Sequence, residues 1–158
     1  MAKSVYIESS VISYLVARPS RDVIVAARQT ITEIWWRERR TEFDLYISTL
    51  VKQEIERGNI EVAEKRLNVV KDIPLVSTSS EAQHLAEDLI TYGTVPANSE
   101  EDALHIGLAT AAGIDFLLTW NFKHINNAHS KANIIAIIEN HGFICPILCS
   151  PEELGVEI

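Results

Sequence analysis

Short apolar stretches rich in β-branched and aromatic residues alternate with helical stretches along the whole chain. This alternation constrains the fold more than any other feature. Residues 4–7 (SVYI), 44–48 (DLYIS), 73–76 (IPLV), 116–119 (FLLT) and 143–149 read as strands. Between them, apolar residues recur at helical spacing. A short helix is predicted over 11–16, capped by Ser9 and Ser10, and a long one over 23–40, capped by Ser20. Further helices are predicted over 49–56, stopping at Gly58, and over 59–70, 80–92, 100–112, closed by Gly113, and 131–140. Strands that alternate with helices predict a parallel sheet covered on both faces. The proline of 73–76 predicts an edge position there.

The 158 residues suit one domain, expected over 1–150, with a peripheral tail over 151–158. Hydrophobic residues at 47% and charged residues at 23% exclude a disordered chain. No apolar run approaches the ~18 residues that span a bilayer. The N-terminus MAKSVYIESS lacks the apolar core of a signal peptide, so a cytoplasmic location and no membrane partner are expected. Cys145 and Cys149 read as buried thiols.

The net charge of −8 is unevenly spread. Residues 1–71 hold 12 Lys/Arg and 10 Asp/Glu, whereas residues 72–122 hold eight acids and no base. Such a chain does not hold a polyanion through a broad basic patch. If it acts on nucleic acid, metal ions or a limited set of arginines must neutralise the phosphates.

In a parallel sheet the functional crevice lies beyond the carboxyl ends of the strands. Glu8 directly follows the first strand, Asn121 follows the fourth, and Glu54 lies on the helix after the second. Asp102 opens the helix that leads into the fourth. Carboxylates gathered without basic partners repel one another, and a cation relieves that repulsion. Hard oxygen ligands suit Mg²⁺ or Mn²⁺, and an ion so held can activate water for phosphodiester hydrolysis.

Each residue also has a purely structural reading. Asp102 can complete a capping box with Ser99, Glu54 can be an exposed helix residue, and Asn121 can belong to a turn. An acid placed directly after a buried strand, as Glu8 is, is harder to dismiss. His105 and His124 read as hydrogen-bonding structural histidines. Asp115 precedes its strand and falls at the wrong end of the sheet. No Gly-rich turn follows the first strand, which disfavours a P-loop or dinucleotide enzyme. Glu8 in place of an Asp nucleophile disfavours aspartyl phosphotransfer.

Three segments, VYIESSVISYL, TLVKQEIERG and EDALHIGLATAAGIDFLLTWNFKHI, resemble the PIN-domain family, and within it the toxin ribonucleases of VapBC-type toxin–antitoxin pairs. Spacings of 46 residues from Glu8 to Glu54, 48 to Asp102 and 19 to Asn121 fit. The resemblance implies a three-layer α/β/α sandwich with a central parallel sheet, and a Mg²⁺- or Mn²⁺-dependent ribonuclease that forms a homodimer and is neutralised by an antitoxin. It implies metal ligation by Glu8, Glu54 and Asp102, a catalytic part for Asn121, and support from Ser10 and Thr119. Glu8 stands where the family usually has Asp, and Asn121 where many members have a fourth acid. These departures favour the alternative, a catalytically impaired PIN-like nucleic-acid-binding or regulatory protein.

Overall fold

The computed structural model describes residues 1–155. Its elements are β1 (Lys3–Ile7), α1 (Ser9–Val16), α2 (Val23–Glu38), β2 (Phe43–Tyr46), α3 (Thr49–Ile55) and α4 (Ile60–Val70), followed by α5 (Ser80–Thr91), α6 (Glu100–Ala111), β3 (Phe116–Leu118), α7 (Lys131–Asn140) and β4 (Ile147–Cys149). The sheet runs β2-β1-β3-β4 with every pairing parallel. Val5 lies opposite Leu45 on one side and Phe116 on the other.

Consecutive strand residues point to opposite faces. Val5, Tyr6 and Ile7 are all fully buried, so helices cover both faces of β1. The result is the expected α/β/α sandwich. Helices α1, α3 and α4 pack together, α1 also meets α2, and α5 packs along α6 and touches α7. No helix among the described residues is long and apolar enough to cross a membrane.

Local signals place most boundaries. Gly58 and Gly113 take φ of 90° and 71° after α3 and α6, a conformation open to glycine at no steric cost. Asn59 caps α4 and Ser79 caps α5. Four expectations are corrected. Residues 73–76 contribute a single bridge, Ile47 to Leu75, rather than a strand. The Pro74 carbonyl accepts from Ile47 N, but proline has no N–H to extend the ladder. The strand expected over 143–149 is confined to Ile147–Cys149, just past Pro146. Asp22 caps α2, accepting from Val25 N, while Ser20 accepts from Asp22 N outside the helix. The short helix begins at Ser9, and its cap is the Glu8 side chain.

Both cysteines are free, Cys149 buried and Cys145 partly so, and burial pushes each thiol up to about 12. Of the tail expected over 151–158, residues 156–158 lie outside the described residues. The preceding turn is fastened, because the Trp35 indole donates to the Leu154 carbonyl and Glu153 accepts from Ser150 and Asn126.

Candidate metal centre

β1 connects to β2 on one side and is flanked by β3 on the other, so the strand order reverses between β1 and β3. A crevice opens beyond their carboxyl ends at such a switch point. Glu8 and Thr119 emerge side by side there, with Glu8 N donating to Leu118 O at 3.0 Å.

Glu8 is only 5% exposed. A buried carboxylate needs donors. Its Oε1 accepts from Ser10 Oγ at 2.5 Å and Thr119 Oγ1 at 2.5 Å, and its Oε2 from Ser10 N at 3.1 Å. Ser10 and Thr119 therefore hold the first acid in place. The capping geometry that starts α1 and the anchoring of Glu8 are the same set of bonds.

Glu54 lies in the last turn of α3. Its Oε1 accepts from the Ser9 hydroxyl and from His105 Nε2, the latter at 2.5 Å. His105 is fully buried on α6, and its Nδ1 lies 2.7 Å from the Tyr6 hydroxyl, which lies 2.7 Å from Ser48 Oγ. An ionised Glu54 can only accept, so Nε2 is the donor of that bond. Burial works to raise the Glu54 carboxyl. The His105 bond and charge, with the Ser9 hydroxyl, outweigh burial and hold the carboxyl below its ordinary range. Burial likewise works to lower His105, and its bond to Glu54 and the fields of Glu8, Glu54 and Asp102 outweigh it and raise the imidazole. Burial pushes the Tyr6 phenol well up.

One ligand atom from each of Glu8, Glu54 and His105 lies within 4.8 Å of the others. Asp102 is outside this trio. It stands one turn before His105 on α6 and, with Glu54 and His124, lines a cavity of about 470 Å³. Ser99 makes no side-chain cap bond, so the capping box does not form. Asp102 Oδ2 instead meets His124 Nδ1 at 2.8 Å.

Asn121 does not present its oxygen to the acids. Its Oδ1 accepts from Lys123 N at 3.2 Å and His124 N at 2.9 Å, the bonding of an Asx turn. That turn brings the His124 ring to Asp102. Asp115, at the opposite end of the sheet, accepts from Ser4 N and Ser4 Oγ.

The donor set fits a hard divalent cation. Glu54 Oε2 and Asp102 Oδ1 take no hydrogen bond from a described residue, and Glu8 Oε2 takes one. Each acid thus keeps oxygen capacity toward the crevice. Among the described residues no Lys or Arg forms an ion pair with any of the three, and nearby Arg57 is paired with Glu101. His105 and His124 are hydrogen-bonding histidines, as the sequence suggests, but it does not name their partners, Glu54 and Asp102, and it offers Ser9 only as a helix cap. The spacing of Asp102 and His105, three apart and so on one face of α6, was the available signal for one of the two histidines.

These features, a switch-point crevice lined with acids in a four-stranded parallel α/β/α sandwich, define a PIN-like fold. The structure is similar to a chain in the crystal structure of VapBC2 from Rickettsia felis bound to a DNA fragment from their promoter. The TM-score is 0.52 at 15% sequence identity, over 93% of this chain and 98% of that one. No family model and no curated protein sequence matches the chain, so the likeness is one of fold.

Proposed function

We propose that this protein is a metal-dependent endoribonuclease, the toxin component of a toxin–antitoxin pair. The observation that carries the proposal is the gathering of Glu8 and Glu54 at the switch point with Asp102 on the adjoining cavity wall. The VapC-like fold supports the class of activity and a small antitoxin as partner. A homodimer and a cytoplasmic location belong to the same proposal.

Glu8, Glu54 and Asp102 would hold Mg²⁺ or Mn²⁺, with His105 beside them. When bound, such an ion supplies Lewis-acid charge for phosphodiester hydrolysis and lowers the pKa of water. The protein's own part is orientation. Ser10 and Thr119 fix Glu8, Ser9 and His105 fix Glu54, and His124 fixes Asp102. Asn121 acts through the turn that carries His124.

The test is cleavage of a mixed pool of structured and single-stranded RNA with Mg²⁺ or Mn²⁺, with EDTA, and with Asp102→Asn protein. Cleavage lost in both controls supports the proposal. Cleavage that survives Asp102→Asn removes Asp102 from the site. A second reading, a catalytically impaired nucleic-acid-binding or regulatory protein, is favoured by the Asn121 amide oxygen being spent on backbone N–H groups. A Mn²⁺ titration with neither heat nor thermal shift would favour this second reading.

A further inference from the structure

An acid-lined crevice that receives RNA must offset repulsion between its carboxylates and the phosphates on either side of the reacting one. Residues 72–122 supply no base, and Arg57, near the cavity, is committed to Glu101 by contacts of 3.0 and 3.2 Å. Arg28 on α2 is placed differently. Its guanidinium lies 4.9 Å from the Phe122 ring centroid and 5.6 Å from that of Trp120. It is half-buried and forms no ion pair or side-chain hydrogen bond with another described residue.

The rings beneath it are fastened. Trp120 Nε1 donates to Thr32 Oγ1 at 2.8 Å, and Thr32 Oγ1 donates to the Arg28 carbonyl at 2.6 Å. Tyr14 meets the Trp120 ring edge-on. Trp120 N donates to Ser10 Oγ at 2.8 Å, and that hydroxyl donates to Glu8. The guanidinium thus rests on the segment that leaves β3 beside the first acid, two hydrogen bonds from it. A stacked guanidinium has already lost much of its freedom, and its planar fork matches a phosphate.

We infer that Arg28, seated on Trp120 and Phe122, binds a backbone phosphate of single-stranded RNA next to the acid-lined crevice. The inference rests on the ribonuclease reading and adds to it the residue that receives the strand. Arginine beside aromatic rings is a recurrent arrangement for single strands.

The experiment measures binding of a fluorescein-labelled single-stranded RNA of mixed sequence, in Mg²⁺, to Asp102→Asn protein with and without Arg28→Gln, over a series of salt concentrations. The expected result is about tenfold weaker binding and a log–log salt slope shallower by about 0.7, the loss of one single-strand phosphate contact. Arg28→Met keeps an unbranched chain on the two rings and serves if Arg28→Gln does not fold. In the wild-type background, loss of Arg28 is expected to raise KM more than it lowers kcat. An unchanged affinity and salt slope overturn the Arg28 assignment and leave the ribonuclease reading standing. No RNA binding by Asp102→Asn protein, together with no cleavage by wild type, overturns both.

Discussion

His105 and Glu54, 51 residues apart, meet through a 2.5 Å contact between Nε2 and Oε1, and the imidazole in that contact is wholly buried. The ring is held from behind by Tyr6. Tyr6→Phe leaves the buried His105 Nδ1 without a partner and Ser48 Oγ with only the Val51 N–H, and is expected to cost about 1–3 kcal/mol. His105→Ala takes the imidazole donor away from the largely buried Glu54 carboxylate and is expected to cost more, above about 3 kcal/mol. Urea unfolding of both variants beside wild type measures the order, and an equal cost would mean the imidazole adds nothing beyond the Tyr6 bond.

Asp102 and His124 form a second acid–histidine pair, aimed by the Asn121 turn. Asp102→Asn is expected to lower RNA cleavage by about a hundredfold or more at unchanged far-UV circular dichroism. His124→Ala is expected to weaken Mn²⁺ binding by about 10–100-fold, the usual effect of losing an orienting partner. Calorimetric titration separates the two, and full Mn²⁺ affinity in His124→Ala would make the pair purely structural.

Mn²⁺ at about 100 times its dissociation constant is expected to stabilise the protein by about 2.7 kcal/mol through binding to the folded state alone. Glu8→Gln keeps the hydrogen-bonding shape but removes charge, and is expected to abolish most of that shift. Thermal unfolding with and without Mn²⁺ provides the measurement, with EDTA as reversal.

Ser4 and Asp115 clamp the amino ends of β1 and β3 by reciprocal bonds, Asp115 N donating to Ser4 Oγ and Ser4 N donating to the carboxylate. The backbone bond from Ser4 comes first among the causes that hold the Asp115 carboxyl below its ordinary value. A depressed carboxyl adds stability above its unfolded pKa of about 4, and that contribution is lost as pH falls through the folded value. Asp115→Asn is therefore expected to unfold at lower urea than wild type at pH 7. The gap should close as pH falls below about 4. A gap of constant size down to pH 2 would contradict the assignment.

Gly107 lies where α6 crosses α5, and a Cβ there would collide with the Ala82 carbonyl oxygen and sit 3.2 Å from its carbon. Backbone cannot yield as a flexible side chain does. Gly107→Ala is expected to cost about 1–3 kcal/mol despite the better helix propensity of alanine. Chemical denaturation checks the sign.

Much of the frame is legible in the chain because its signals are local. The run Val5-Tyr6-Ile7 carries its two-sided burial in its own composition, and Gly58, Asn59, Ser79 and Gly113 act within a turn of where they stand. Legibility fails where a neighbour decides. Residues 73–76 look like a strand, yet Pro74 and the short reach of β2 leave one bridge. Ser99 and Asp102 have capping-box spacing, yet Asp102 turns to an imidazole from a distant loop.

The sequence by itself determined that strands and helices alternate, that the sheet is parallel and covered, and that acids follow its strands. Those properties depend on side-chain periodicity and on residues a few positions apart. Only the tertiary structure decided that Ser9 and His105 share one oxygen of Glu54, that the His124 ring meets Asp102, and that Arg28 lies on Trp120. Each of these depends on the sheet order β2-β1-β3-β4, which brings residues up to about a hundred positions apart within hydrogen-bonding distance. Partner choice at that range is a property of packing in three dimensions, and no local pattern encodes it.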